Sequence, residues 1–234
     1  PPPRAPTTHA PLLQAMAQRR IGGLARHLRL HPPTRPASTT AAASAPVADL
    51  TGRVVLVTGG GDGIGGGMVK AFVESGATVV YADIKEHEQP PAAAHYMECD
   101  VRDRDSIKEV VAGTIEQHGG LDVLCNNVGV VLEAGQPLHE TSDDAWDTTL
   151  AVNLTSYFQF SKHAIPHMLE HGGGSIINTA SVQGLQSMAG VCSYAASKGA
   201  ISSLTRQMAV EYATQGIRAH HTAAPVAVVS ATLH

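Results

Sequence analysis

Val54-Val55-Leu56-Val57-Thr58-Gly59-Gly60-Gly61-Asp62-Gly63-Ile64-Gly65 runs from four apolar residues into a turn made almost wholly of glycine. A short apolar run ended by turn residues reads as a strand buried on both faces, and the residues after it have helical content. Glycines let the backbone take positive φ and let a pyrophosphate approach the helix N-terminus, where free N–H groups and the helix dipole favour anions. A flexible connection between strand and helix has the same composition. What separates the two readings is an acidic residue at the end of the next strand, and Asp83 stands there.

Outward from that stretch, β-branched runs alternate with helical patterns. Residues 54–57, 78–82, 96–99, 121–126 and 175–179 read as strands, and 65–74, 103–118, 143–170 and 193–212 as helices. Such alternation requires right-handed crossovers, and hence a parallel sheet with helices on both faces. The fold class is α/β, a Rossmann-type doubly wound sheet in a single domain. Ligands in that architecture sit at the carboxyl ends of the strands, near the reversal in strand order. A chain of 234 residues holds one such domain, over 49–234, and a short appendage over 1–48.

The appendage has its own chemistry. Arg4, Arg19, Arg20, Arg26, Arg29 and Arg35 precede Asp49, in a segment without Asp, Glu or Lys. Taking these six from the 16 Lys and Arg leaves ten cations against all 20 Asp and Glu, so the body is acidic and nucleic acid is excluded as its partner. Residues 12–30 can form a basic amphipathic helix, and the Pro/Ala/Ser/Thr-rich residues 32–46 form a linker behind it. That is the composition of a mitochondrial or plastid transit peptide; a disordered tail on a cytoplasmic protein is the alternative. No apolar stretch is long enough to span a membrane. Cys99, Cys125 and Cys192 are odd in number and widely spaced, which fits a reducing compartment, and Cys192 reads as a small buried packing residue.

Tyr194 and Lys198, in Ser193-Tyr194-Ala195-Ala196-Ser197-Lys198, stand four residues apart on one helix face. The ammonium and the phenol can therefore meet one bound molecule. A unit charge ~4 Å away at an effective dielectric of ~20 favours a phenolate by about 4 kcal/mol, so the pair suits proton transfer. Tyr81 and Lys85 share the spacing, but they fall on a strand end and a loop. Asp83 is placed to accept hydrogen bonds from an adenosine ribose and to repel a 2′-phosphate, which favours NAD over NADP even with Lys85 nearby. Asp100-Val101 and Asn127 with Gly129 end the third and fourth strands and can line an adenine site, or serve as ordinary turns. His163, His167 and His171 recur every four residues, yet Pro166 interrupts their helix and nothing nearby completes a metal site, so they read as a solvent-facing stripe and no metal is expected. Glu116, Glu133 and Glu140 show no pairing of the kind that glycosidase acids need.

Taken in chain order, Thr-Gly-x-x-x-Gly-x-Gly from Thr58 to Gly65, Asp83, Asp100-Val101, Asn126-Asn127-Val128-Gly129, Asn153, Ser181 and Tyr194-x-x-x-Lys198 resemble the short-chain dehydrogenase/reductase family in its single-domain form. The resemblance implies an NAD site built from Gly59, Asp62, Gly63, Ile64, Gly65, Asp83, Asp100, Val101, Asn127, Gly129, Tyr194 and Lys198. It implies Tyr194 as general acid or base toward a carbonyl or alcohol oxygen, with Ser181 hydrogen-bonding that oxygen. Lys198 would hold the nicotinamide ribose, and Asn153 would shape its helix and support a water relay. The implied reaction moves a hydride between nicotinamide C4 and a small-molecule secondary alcohol or ketone. Homo-oligomers through helices 143–170 and 193–212 are a further expectation.

Departures from the family pattern gather at the end. Ile217-Arg218-Ala219-His220-His221 puts two histidines where a core strand is expected, Val226 follows Pro225 in place of glycine, and the chain stops at His234. The expectation is that the final strand and substrate-loop region are missing, leaving one sheet edge uncovered. A catalytically impaired, truncated dinucleotide-binding or interaction protein is therefore the alternative function, and an epimerase or dehydratase is a third. Val128, where the family has alanine, is expected to crowd the cofactor.

Overall fold

The computed structural model describes residues 49–222. The proposed leader and linker, and the run from Ala223 through Pro225 and Val226 to His234, lie outside the described residues. Six strands, β1 (Val54–Thr58), β2 (Thr78–Asp83), β3 (Ala94–Glu98), β4 (Val123–Asn126), β5 (Gly174–Thr179) and β6 (Ile217–Thr222), form one sheet in the order β3-β2-β1-β4-β5-β6. Every pairing is parallel. Between them run α1 (Gly63–Glu74), α2 (Arg104–His118), α3 (Asp143–Leu150), α4 (Ser156–Glu170) and α5 (Cys192–Tyr212).

All five residues of β1 are buried, as its uninterrupted apolar run predicts. On one face Leu56, Val80, Leu124 and Ile176 pack with α2, α4 and α5; on the other Val55, Val57, Val79 and Tyr81 pack with α1. Chain order reverses between β1 and β4, which opens a crevice at their carboxyl ends. No helix among the described residues is long and apolar enough to cross a membrane.

Several boundaries differ from the sequence reading, each for a local reason. Strand β3 begins at Ala94 because its register against β2 pairs Val79 with Ala94 and Tyr81 with Tyr96. The single helix expected over 143–170 is three pieces, since a π-helical stretch (Ala151–Thr155) separates α3 from α4. That wider turn lets Asn153 reach inward to the backbone of Val130, a change of register that apolar spacing does not reveal. Pro166 does not interrupt α4, which continues to Glu170. The histidines on its face are not a solvent-facing stripe either: His163 and His167 are half-buried. His167 Nε2 accepts from Leu121 N at 3.2 Å and its ring stacks on His171, so burial and that neighbouring imidazole both lower its pKa.

The strand with two histidines does form. Ile217 and Ala219 are buried and His220 points outward with Arg218, so alternation accommodates one histidine of β6, an edge strand among the described residues; His221 falls on the face of Ile217 and Ala219, half-buried, with Nδ1 unpartnered among the described residues. Cys192 is half-buried rather than buried, with Sγ 3.3 Å from Thr141 Oγ1. Cys99 and Cys125 are buried free thiols, and burial pushes Cys125 up to about 12.

Candidate active site

The crevice is a cleft of about 590 Å³ bounded by the glycine turn, the ends of β2 to β4 and the first turns of α5. Thr58 closes its floor: Oγ1 accepts from the backbone of Asn127 (3.0 Å) and Val128 (3.2 Å). Asn127 Nδ2 returns hydrogen bonds to the carbonyls of Thr58 and Gly59, both at 3.2 Å. The ends of β1 and β4 are thereby held together beneath whatever binds. Gly59 has φ +66° and Gly63 φ +55°, values that side-chain-bearing residues rarely adopt. Asp62 caps α1 by accepting from Gly63 N at 2.6 Å.

Gly65 packs against the turn itself. A Cβ there would overlap the Gly59 carbonyl oxygen and come within 2.6 Å of Asn127 Nδ2. Gly65→Ala is therefore expected to pry the turn open and to weaken dinucleotide binding at least tenfold in a fluorescence titration, while the far end of the sheet keeps its fold. Unchanged affinity would mean that the turn does not form the phosphate cradle.

Asp83 ends β2 with its carboxylate turned to the glycine turn, Oδ2 accepting from Gly61 N at 2.9 Å and Oδ1 from Lys85 N at 3.3 Å. Asp100 lines the same cleft with Val101, but its side chain is gripped by Arg102 at 2.6 Å, and that guanidinium lowers its pKa. Gly129 and Val128 border the cleft, and Val128 also packs against the Tyr157, Ala180 and Ile201 cluster. Tyr81 is buried in the sheet and does not line the cleft, whereas Lys85 borders the cleft from the surface, paired with Glu88, so the two do not act together as Tyr194 and Lys198 can.

At the other wall, Tyr194 and Lys198 both line the cleft from α5. The ammonium of Lys198 donates to the Thr179 carbonyl at 2.7 Å and lies 5.5 Å from the Tyr194 ring centroid and 5.4 Å from that of Tyr157. Its burial lowers the pKa to about 8. Asn153, fully buried, accepts from Val130 N (2.8 Å), donates to Val130 O (2.9 Å), and reaches Ser197 Oγ (3.3 Å), next in sequence to Lys198. A Cβ on Gly129 would lie 3.5 Å from both Asn153 Oδ1 and Lys198 Nζ, so this glycine marks where the two side chains converge.

Ser181 sits at the end of β5 in the role of a cap. Its Oγ accepts from Gln183 N at 3.2 Å, ahead of the 3₁₀ turn Val182–Gly184, and among the described residues it makes no hydrogen bond to Tyr194 or Lys198. Three groups at this wall carry no signal in the sequence: Tyr157, whose ring flanks Lys198 and whose hydroxyl donates to Val128 O at 2.9 Å; Thr179, whose carbonyl holds the ammonium; and Glu133, whose carboxylate accepts from Tyr194 N at 3.0 Å. Among the described residues no cluster of three His, Cys, Asp or Glu is arranged to hold a metal ion.

A glycine turn facing an acidic strand end, across a crevice from a tyrosine and a buried lysine, narrows the comparison with known proteins. The family profile described as short chain dehydrogenase matches residues 53–232. The chain belongs to the short-chain dehydrogenase family. It is 40% identical over 179 residues to 2,5-dichloro-2,5-cyclohexadiene-1,4-diol dehydrogenase of Sphingobium indicum, covering 74% of this chain and 71% of that one. It is 36% identical over 179 residues to 3beta-hydroxysteroid dehydrogenase 2 of Eggerthella lenta, covering 72% and 68%. Among solved structures, ligand-free aldohexose dehydrogenase of Thermoplasma acidophilum superimposes with a TM-score of 0.71 at 32% identity, covering 76% of this chain and 68% of that one. Short-chain dehydrogenases are oxidoreductases that use nicotinamide dinucleotides, and the sheet order and crevice of this chain are those of that fold.

Proposed function

We propose that this short-chain dehydrogenase uses NAD to interconvert a secondary alcohol and its ketone, with the reacting carbon borne on a ring. The observation that carries the reading is the convergence of Tyr194 and Lys198 on the cleft that the glycine turn opens. The ring preference rests on three of the similar proteins, whose names specify a cyclohexadiene diol, a hydroxysteroid and an aldohexose.

The residues present fit the dinucleotide. Gly59 and Gly65 pack so closely on Val128 and on the Gly59 carbonyl that neither has space for a Cβ, which keeps the turn tight at the N-terminus that α1 offers to the pyrophosphate, and Asp83 presents a carboxylate where a ribose diol is to be held. When bound, NAD supplies the hydride acceptor. The remaining work belongs to the chain. Tyr194 takes the alcohol proton during oxidation and returns it during reduction. The ammonium of Lys198, 5.5 Å from the Tyr194 ring centroid, places a cation beside the residue that exchanges the proton. Asn153 reaches Ser197 next to Lys198, and Ser181, whose Oγ accepts from Gln183 N, is assigned the hydroxyl that donates to the substrate oxygen. Pairing of two copies through α3, α4 and α5 is part of the same proposal, supported by Trp146, Phe158 and Val210 exposed on these helices.

Cofactor preference tests the reading at one residue. The full chain is expected to oxidise cyclic secondary alcohols with NAD at least tenfold better, in kcat/KM for the cofactor, than with NADP. Asp83→Ala is expected to erase most of that preference by removing both the ribose acceptor and the repulsion of a 2′-phosphate. Dinucleotide binding with no turnover on a broad panel of alcohols and ketones would overturn the dehydrogenase proposal and leave a binding protein. An unchanged cofactor ratio in the variant would overturn the role of Asp83.

A further inference from the structure

Glu133 is a carboxylate with no exposed surface, on a loop, in a position that no proton-transfer step requires. Only one of its oxygens has a partner: Oε1 accepts from Tyr194 N at 3.0 Å, while Oε2 has none among the described residues. Burying a carboxylate this way is unfavourable unless something nearby compensates it. The compensation is the N-terminus of α5. That helix starts from Val191, which cannot cap it, so the first-turn N–H of Tyr194 would otherwise be an orphan inside the protein. A carboxylate at the positive end of a 21-residue helix both fills that vacancy and meets a favourable dipole.

The cap reaches this place from a distant loop that is itself anchored to the approach to α5. Glu133 O accepts from Gln136 N at 2.9 Å, which closes a tight turn, and Gly135 N donates to Gly190 O at 2.9 Å. The two strands of chain meet so closely there that a side chain on Gly190 would collide with the Gly135 backbone. The same loop begins in the cleft, where Gly129, Val130 and Val131 form part of its lining. One short segment therefore touches the cofactor side of the cleft at its start and holds the backbone of the proton-transferring residue at its end.

We infer that Glu133 is a positioning residue for Tyr194. It acts as an N-cap delivered from 61 residues away, fixing the first turn of α5 and coupling the placement of the phenol to the loop that lines the cleft. The hydrogen bond needs an acceptor at the reach of a glutamate, and it needs no negative charge. The kinetic consequence rests on the dehydrogenase reading; the structural one does not.

The test uses the full chain with E133A, E133Q and E133D, read by hydrogen exchange at the Tyr194 amide, NADH titration and steady-state kinetics per NADH-binding site. E133A is expected to speed exchange at Tyr194 at least tenfold without affecting the later turns of α5. It is also expected to lower kcat by about tenfold to hundredfold, the scale of a small misplacement of a catalytic group, with NADH affinity within about threefold. E133Q should restore both readings, whereas E133D, charged but one methylene short, should not. Should E133A fail to fold, the contrast between E133Q and E133D carries the decision. Unchanged exchange at Tyr194 in E133A, or a kcat loss that vanishes when expressed per NADH-binding site, would overturn the inference. A parent chain that binds NADH without turnover overturns the dehydrogenase proposal instead, and the exchange comparison still decides the role of Glu133.

Discussion

Tyr194→Phe is expected to lower kcat by about 10²- to 10⁴-fold, the range that a positioned general acid or base contributes, while leaving NADH affinity within about threefold and the melting temperature unchanged. The separation of these effects follows from the surroundings of the hydroxyl. Tyr194 lines the cleft, and its phenol oxygen has no hydrogen-bond partner among the described residues, so removing it strands no buried group. The ring stays, and with it the face toward which the Lys198 ammonium lies at 5.5 Å. The bond from Lys198 to the Thr179 carbonyl is untouched. A variant that binds and folds normally yet turns over at the parent rate would remove Tyr194 from the chemistry. A variant that loses NADH affinity and stability together would show that the hydroxyl serves structure. Measuring kcat, NADH binding and thermal unfolding on one preparation distinguishes the three cases.

The two halves of the site differ in how far the sequence discloses them. The glycine turn is legible because its chemistry is local. A strand buried on both faces has to be apolar throughout, positive φ calls for glycine, and both properties are written in consecutive residues from Val54 to Gly65. The Tyr194 and Lys198 pair is legible for a similar reason, since helical spacing fixes their common face. The environment of Lys198 is another matter. Its hydrogen-bond acceptor is a backbone carbonyl on β5, its aromatic neighbour Tyr157 comes from α4, and neither has any periodic relation to α5. Asn153 could be placed on a helix but not in its bonds to Val130, because a π-turn keeps helical composition while altering register. Glu133 is the extreme case: a single loop carboxylate reads as a surface residue until the fold brings it to the end of a helix. In the other direction, His220 of β6 is ordinary, since an alternating strand shows Arg218 and His220 on one face and buries Ile217 and Ala219 on the other, whereas His221 falls on the inward face with Nδ1 unpartnered among the described residues.

Lys198→Met is expected to make the protein more stable and inactive at once. The ammonium is 2% exposed, and its pKa falls from 10.5 in a free lysine to about 8 because burial penalises the charged form. A lysine whose folded pKa is depressed weakens the fold wherever the charge must be kept, so the penalty is complete below about pH 8 and disappears as pH rises toward 10.5. The difference between those values amounts to roughly 3 kcal/mol at neutral pH. Losing the donor leaves the Thr179 carbonyl without its 2.7 Å partner, at a cost of about 1–2 kcal/mol, and the net gain is roughly 1–2 kcal/mol. For a domain of this size each kcal/mol raises the melting temperature by about 2–4 °C. The methionine variant should therefore melt above the parent at pH 7, and the gap should narrow and then reverse between pH 8 and 10.5, where the parent sheds its buried proton and keeps its other contacts. Turnover should fall at least a hundredfold at pH 7, where the parent keeps a cation beside Tyr194, and that difference should shrink above about pH 8 as the parent loses the charge. Melting curves taken at half-unit steps of pH on both proteins test this. A variant that melts below the parent at pH 7, or a gap that ignores pH, would mean that the ammonium is well solvated in its place, and that this fold does not give up stability to keep a charge beside its tyrosine.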